Sequence, residues 1–185
     1  MKTFTIYLFR HGITKGNLNA QYIGRTDYPL TMDSISELRN IKAYHYPHVQ
    51  AVFTSPLKRC TESADIMFPK NNPIVINDFV EYSFGEFEEC TAKDLENNED
   101  FLKWIRGDMH ARPPYGESNA EFTHRVCDAF EKVVDGLIKT QTETCAIVGH
   151  AGVLMTILAC YGLPEAPMAH WQMDPGYGFK LRVTP

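Results

Sequence analysis

Three common features are missing from this sequence of 185 residues: an excess of basic residues, a long apolar run and a paired-cysteine motif. Its 18 lysines and arginines are outnumbered by 23 aspartates and glutamates, and the net charge of -5 argues against a general nucleic-acid binder. No run approaches the roughly 20 apolar residues of a membrane-spanning helix, and the first apolar run is too short for a signal peptide. We therefore expect neither a nucleic-acid partner nor a membrane partner.

The five cysteines are scattered, and no two of them form a C-x-x-C pair. This pattern fits reduced thiols in the cytoplasm better than a disulfide framework. No cysteine begins a C-x5-R loop, which disfavours a phosphatase with a cysteine nucleophile. The G-x4-G-K-S/T motif of ATP-binding loops is absent from the sequence, so ATP is not the expected ligand. His45 and His48 have the spacing of two metal ligands, but Pro47 lies between them and no third ligand is near. No metal site and no cofactor is expected.

The apolar pattern alternates between strands and helices, which predicts an α/β protein with three layers (α/β/α) around a mostly parallel sheet. The length favours a single domain over residues 1–185. Strands are predicted at 4–9, 51–54, 73–78, 145–149 and 179–183. Helices are predicted from Asp33 to about Tyr44, after an N-cap at Ser55 with Pro56 in the first turn, after the capping box Ser118 to Glu121, and around 153–158. Residues 79–117 lose this periodicity, and we interpret them as an inserted cap of helices and loops.

Nitrogen-rich side chains follow three of the predicted strands. Arg10 and His11 come after the first strand, Arg59 follows the second and His150 follows the strand at 145–149. Ligands of parallel sheets bind outside the carboxyl ends of the strands, where these side chains should meet. The sequence therefore predicts a binding site for an anion at this edge.

Two arginines beside two histidines suit a phosphoryl group, because guanidinium groups pair with two oxygens at once. Nearby positive charge disfavours imidazolium, so His11 should be neutral and nucleophilic near pH 7. A backbone carbonyl that accepts from one ring nitrogen would leave the other free to attack phosphorus. His150 would donate to the phosphoryl oxygens, and the arginines would replace a metal ion.

The departing alcohol also needs a proton donor, which we expect from the acidic stretch at the start of the cap. Glu81 is the favoured residue, and Glu86, Glu88 and Glu89 are alternatives. A carboxylate that faces a phosphate dianion should have a raised pKa, which suits an acid. The same group would then act as the base on the attacking water.

Six stretches resemble, in order, the signature motifs of the histidine phosphatase superfamily, the phosphoglycerate-mutase-like proteins. They are RHGITKGN (10–17), YIGRTDYPLT (22–31), SPLKRCTESA (55–64), EYSFGEFE (81–88), PPYGES (113–118) and VGHAGV (148–153). Each stretch is weak evidence alone, but the ordered set is highly specific and covers most of the chain. The resemblance implies the phosphoglycerate-mutase-like fold.

The resemblance implies His11 as the phosphorylated nucleophile and Glu81 as the proton donor. It also implies a phosphate pocket of Arg10, Arg59 and His150, with Asn17 and the backbone N–H of Ala151 as further donors. Glu89 and Tyr115 stand where the family usually has glycine, so the shape of the substrate mouth is expected to differ.

The expected mouth residues are Gly24, Phe84 and Tyr115. The aromatic residues Phe84, Phe87, Trp104 and Tyr115 either cover the substrate or form a small core of the cap.

The favoured function is a metal-independent phosphatase for a small phosphorylated metabolite, in a cytoplasmic protein that is a monomer or a homodimer. The motifs look most like those of bacterial alpha-ribazole phosphatases, which serve late cobalamin synthesis. A phosphoglycerate mutase is the first alternative, although the stretch EYSFGEFEE lacks the basic residues that a substrate carboxylate requires. A phosphate-binding regulatory module without turnover is the second.

Overall fold

The fold is a three-layer α/β/α sandwich, as the sequence predicts. A computed structural model describes residues 2–43 and 45–184. The strands are β1 (Phe4–Arg10), β2 (Ala51–Thr54), β3 (Ile74–Val75), β4 (Thr144–Gly149) and β5 (Gly178–Val183). The helices are α1 (Lys15–Leu18), α2 (Met32–Lys42), α3 (Lys58–Met67), α4 (Glu99–Ile105), α5 (Asn119–Thr140) and α6 (Ala151–Tyr161). Short 3₁₀ turns cover Asn77–Phe79, Gly85–Phe87 and Met168–Trp171.

The sheet has the strand order β3-β2-β4-β1-β5, and β5 is antiparallel to its neighbour β1. The other pairs are parallel, so β1, β2 and β4 end at the same edge. The register pairs Arg10 with Gly149, which makes the next residues of the two strands, His11 and His150, spatial neighbours. The convergence predicted for the strand ends is therefore confirmed.

Apolar side chains cover both faces of the sheet, as a sheet buried between helices requires. On one face Ile6 and Leu8 pack with α5, α6 and the aromatic residues of the cap segment (79–117). On the other face Val52 and Val148 pack with α2 and α3. In β5 the half-buried Phe179, Leu181 and Val183 alternate with exposed residues, as predicted.

The boundaries of two elements differ from those that the sequence predicts. α3 begins at Lys58 after an extended N-cap residue, Leu57, so Ser55 is not its cap. The helix therefore starts two residues later than predicted, and the Ser55 hydroxyl instead contacts the ring of His150. The predicted strand 73–78 shrinks to Ile74–Val75, because it pairs only with the last two residues of the short strand β2.

The predicted capping box at the start of α5 is present. Ser118 Oγ accepts from the backbone N–H of Glu121 at 3.2 Å, and the Glu121 carboxylate accepts from Ser118 N at 2.7 Å. α2 ends at Lys42, and the predicted end at Tyr44 lies outside the described residues. No helix within the described ranges has both the length and the apolarity needed to cross a lipid bilayer.

Candidate active site

A cavity of about 570 Å³ opens at the carboxyl ends of β1, β2 and β4. Six of the predicted catalytic and phosphate-binding residues line it, and they come from four separate parts of the chain: Arg10, His11, Asn17, Arg59, Glu81 and Ala151. The cap segment forms the opposite wall. The parallel strands thus bring together side chains that are up to 141 positions apart in the sequence.

His11 is held as a neutral imidazole. Its Nδ1 lies 2.6 Å from the carbonyl oxygen of Gly12, and since a carbonyl only accepts, Nδ1 carries the proton. Nε2 therefore keeps its lone pair. Burial, followed by the charges of Arg59 and Arg10, lowers the pKa of His11 to about 3, although its hydrogen bond to Gly12 acts in the opposite direction. From the sequence, the arginines are expected to keep the ring neutral, whereas in the structure burial lowers the pKa more than either of them does.

Arg59 is the largest fully buried side chain among the described residues, and backbone oxygens hold its charge. Nη2 donates to the carbonyl of Gly24 at 2.7 Å and, more weakly, to that of Ile23 at 3.4 Å. Nη1 donates to Thr26 O at 2.9 Å. Carbonyl dipoles orient the guanidinium without neutralising it, so the group keeps a full charge to offer to an anion.

Arg10 is held in a similar way. Its Nη1 donates to Met173 O at 2.9 Å, and its buried Nε has no hydrogen-bond partner in the structure. Burial lowers the pKa of Arg10. Within the described residues neither Arg10 nor Arg59 has a carboxylate oxygen within 4.0 Å. One buried and one half-buried guanidinium group without a carboxylate partner are costly to keep, unless an anion joins them.

His150 lies behind His11 rather than on the cavity wall. The ring centroids of the two histidines are 5.3 Å apart, and His150 is fully buried. Its Nε2 lies 2.7 Å from the hydroxyl of Ser55, and the Cys60 thiol packs against the ring. Burial and the charge of Arg59 lower the pKa of His150 well below its usual value. The site therefore contains two neutral imidazoles in contact.

Glu81 is the acidic residue of the cavity. Its Oε1 accepts from the backbone N–H of Tyr82 at 2.9 Å, and its Oε2 accepts from Gly152 N in the first turn of α6 at 3.0 Å. Burial raises the pKa of Glu81, and the two hydrogen bonds oppose this shift only in part. Gly152 is required here, because a Cβ on it would lie 2.5 Å from Oε1. The backbone of α6 thus aims a carboxyl group of raised pKa into the cavity.

The three alternative acids do not line the cavity. Glu86 is exposed, and the exposed Glu89 contacts the hydroxyl of Tyr28. The Glu88 carboxylate accepts from two backbone N–H groups, those of Gly24 and Thr26. Position alone therefore selects Glu81 among the four.

Asn17 and Ala151 both line the cavity together with Arg10, His11 and Arg59, and we call the part formed by these five residues the phosphate end, after its predicted ligand. Asn17 Oδ1 accepts from Thr14 N at 2.9 Å, an arrangement that leaves its amide nitrogen as a donor. Ala151 is the first residue of α6, where backbone N–H groups favour an anion. Both positions suit the donor roles that the family motifs imply.

Of the three expected mouth residues, Phe84 lines the cavity, but Gly24 and Tyr115 do not. Gly24 is buried beneath the cap, where a Cβ would lie 1.9 Å from the carbonyl oxygen of Tyr82. Tyr115 is 92% exposed, and its φ of +60° belongs to a tight turn. Phe87 is buried in the core, so the aromatic residues of the cap divide between the core and the cavity wall.

Much of the wall away from the phosphate end escapes prediction from the sequence. Its apolar residues come from the segment before the 23–26 loop, from the cap, from α5 and α6 and from the last 3₁₀ turn: Tyr22, Tyr82, Trp104, Ile105, Met109, Phe122, Met155 and Met168. From the sequence, only Trp104 among them is a candidate to cover the substrate, because the others have the pattern of ordinary core positions.

Comparisons with known proteins agree with this geometry. Residues 6–184 match the model of the histidine phosphatase superfamily (branch 1). The adenosylcobalamin/alpha-ribazole phosphatase of Escherichia coli is 30% identical over 92% of this chain and 86% of its own length. The enzyme of the same name from Salmonella typhimurium is 28% identical over the same shares. The alpha-ribazole phosphatase of Shigella flexneri superposes with a TM-score of 0.80 at 27% identity, covering 98% of this chain and 90% of that one.

The family match covers almost the whole chain, and the alignments with these phosphatases cover most of each relative's length. The predicted fold and the predicted phosphatase activity are both confirmed. The protein belongs to branch 1 of the histidine phosphatase superfamily.

Proposed function

We propose that the protein hydrolyses a small phosphate monoester through a phosphohistidine intermediate on His11, without a metal ion. The observation that carries this proposal is the neutral imidazole of His11, with Nε2 unprotonated, beside two guanidinium groups that lack a carboxylate partner. This is the combination that nucleophilic attack on a phosphoryl group requires.

In the first step the phosphoryl oxygens bind Arg10, Arg59, the amide of Asn17 and the backbone N–H of Ala151. Nε2 of His11 attacks phosphorus, the bond from phosphorus to the alcohol oxygen breaks, and its electron pair leaves with that oxygen. Glu81 donates the proton that neutralises the leaving alkoxide, as the raised pKa of its buried carboxyl group allows. The products are the free alcohol and phosphorylated His11.

In the second step Glu81, now ionised, removes a proton from water. The water oxygen attacks phosphorus, the bond to Nε2 breaks, and inorganic phosphate is released. The two guanidinium groups stabilise the negative charge in both transition states, because they are already oriented by carbonyl oxygens. The enzyme returns to its starting protonation state.

His150 supports both steps in this scheme. When the Ser55 hydroxyl donates to Nε2, the ring carries its proton on Nδ1 and is neutral, and because it lies behind His11 it acts through that ring rather than as a direct donor to a phosphoryl oxygen. Its contact with His11 also restricts the rotation of the nucleophilic ring.

The apolar part of the cavity supports a leaving alcohol that carries a ring. Trp104, Phe84, Met109 and Met168 from the cap and from the late 3₁₀ turn line this part. Aromatic rings and flexible methionines favour a planar apolar group over a polyhydroxylated one. Because the relatives are named for alpha-ribazole, we propose alpha-ribazole 5'-phosphate, which carries an aromatic base, as the first substrate to test.

The two alternative functions fit less well. Arg10 and Arg59 are the only basic residues other than His11 among those that line the cavity in the described chain, and both serve the phosphate end. A phosphoglycerate carboxylate would therefore meet no cation of its own, which disfavours a mutase. A binding module without turnover would not need a nucleophile and an acid in one pocket.

We also propose that the cap segment belongs to the same domain as the sheet, since Phe84, Phe87 and Phe101 share one hydrophobic cluster with Ile6 and Leu8 of β1. The free thiols support the predicted cytoplasmic location. A homodimer stays a prediction, to be tested by light scattering.

The central experiment is a phosphoryl-labelling assay with labelled substrate, quenched under denaturing alkaline conditions that preserve phosphohistidine. Wild type should carry an acid-labile label, whereas His11→Ala should carry none and show no turnover. His124→Ala, which removes an exposed histidine of α5, is the matched control and should behave as wild type. A label that persists on the His11 variant would place the nucleophile elsewhere.

A further inference from the structure

Glu88 connects the cap segment to the loop at residues 23–26. The side chain is half-buried, and its Oε1 accepts from two backbone N–H groups, that of Gly24 at 2.8 Å and that of Thr26 at 3.0 Å. Hydrogen bonds to a charged acceptor are stronger than those between neutral groups. The carboxylate therefore fixes this loop from the side of the cap.

The same loop holds Arg59 from its other side. Its carbonyl oxygens, those of Ile23, Gly24 and Thr26, accept from the guanidinium. The peptide group that joins Ile23 to Gly24 spans the two charges, because its C=O faces Arg59 and its N–H faces Glu88. The peptide dipoles of the loop therefore point their oxygens at the Arg59 cation and their N–H groups at the Glu88 anion.

The loop packs closely against the cap at Gly24. A Cβ on Gly24 would lie 1.9 Å from the Tyr82 carbonyl oxygen and 3.0 Å from Glu88 Oε2. Tyr22, which precedes the loop, exchanges backbone hydrogen bonds with Glu89 and Cys90. The carbonyls that orient Arg59 are therefore set by how the cap packs on the loop.

We propose that Glu88 is a positioning residue for phosphate binding, which acts by holding the 23–26 loop so that its carbonyl oxygens orient Arg59. This inference rests on the proposed function only in assigning Arg59 to the phosphate. Glu88 lies outside the cavity wall and takes no part in proton transfer. The cap thereby controls the phosphate end of the site as well as the end that receives the alcohol.

The test measures the affinity of inorganic phosphate by titration calorimetry, together with the steady-state kinetics and the melting temperature. Glu88→Ala removes the acceptor of both N–H groups and should weaken phosphate binding at least tenfold. Glu88→Gln keeps one amide oxygen that accepts both, so it should weaken binding only about threefold. Glu86→Ala removes a neighbouring exposed carboxylate and should leave phosphate affinity and kinetics unchanged.

A positioning role differs from a merely structural one in the response to phosphate. In Glu88→Ala the rise in melting temperature on adding phosphate should shrink, and KM should rise more than kcat falls. In an Arg59→Lys background Glu88→Ala should cause little further loss of affinity, because its effect passes through Arg59. Unchanged phosphate affinity in both Glu88 variants, or full additivity with Arg59→Lys, would overturn the inference. Wild type that binds no phosphate would overturn the proposed site as well.

Discussion

The neutral state of buried His11 makes a quantitative prediction about acid stability. In the unfolded chain a histidine titrates near a pKa of about 6.5. In the folded protein the pKa of His11 is lowered to about 3, so between these values only the unfolded chain binds the proton. The contribution of His11 to the free energy of unfolding therefore falls as the pH falls from about 6.5 towards 3, and this contribution is constant above that range.

The size of the effect follows from the same two pKa values. At about pH 5 the unfolded histidine is about 97% protonated and the folded one is almost entirely neutral, which costs about 2 kcal/mol relative to pH 7.5. His150 has a pKa shifted in the same direction and adds to the loss.

The assay is urea unfolding of wild type and His11→Asn at both pH values, in buffers without phosphate. Asparagine keeps an N–H donor for the Gly12 carbonyl but does not titrate, so the variant should lose about 2 kcal/mol less than wild type on acidification. His124→Asn, at an exposed site, measures the effect of losing any histidine. Equal losses in wild type and His11→Asn would refute the neutral state of His11 and the nucleophilic role built on it.

Three further predictions concern turnover. Glu81→Gln should lower kcat about 10²- to 10⁴-fold on alkyl phosphates but much less on p-nitrophenyl phosphate, and equal losses would contradict its role as the acid. Gly152→Ala should reproduce that pattern, because the new methyl group displaces the Glu81 carboxylate. The control is Gly136→Ala in α5, where the new methyl group has open space; it should leave the kinetics unchanged and stabilise the helix by up to about 1 kcal/mol. Hydrolysis should survive EDTA, because the arginines supply the positive charge; abolition by the chelator would show that a metal takes part.

The site residues that could be predicted from the sequence are those that lie just after a strand of the sheet. Arg10, His11, Arg59 and His150 each follow a recognisable buried strand, and parallel strands place their carboxyl ends together regardless of loop details. Glu81 lies in a segment without periodicity, and there the family motif, rather than the residue pattern, distinguished it from its acidic neighbours.

The features that could not be predicted are contacts between residues that lie far apart in the sequence. Ser55 has the local pattern of a helix N-cap, yet its hydroxyl binds His150, which is 95 positions away. Gly24 belongs to a motif near the expected mouth, but it is packed against Tyr82 beneath the cap. Glu88 resembles a surface acid until the fold brings the 23–26 loop to it. Such pairings have no periodicity, so only the assembled structure shows them.

The position of β1 in the sheet has a consequence for the newly synthesised chain. The strand that carries Arg10 leaves the ribosome long before its two neighbours in the sheet, which are β4, at Thr144–Gly149, and β5, at Gly178–Val183. At a translation rate of about 5–20 residues per second, roughly 7–30 s pass between the synthesis of β1 and that of β4, the first of its two neighbours. During this time its apolar side chains, including Ile6 and Leu8, are without the strands that bury them. Co-translational chaperones that shield short apolar segments should therefore contact the newly synthesised β1 segment, and enzyme activity should emerge only after β4 and β5 have been translated.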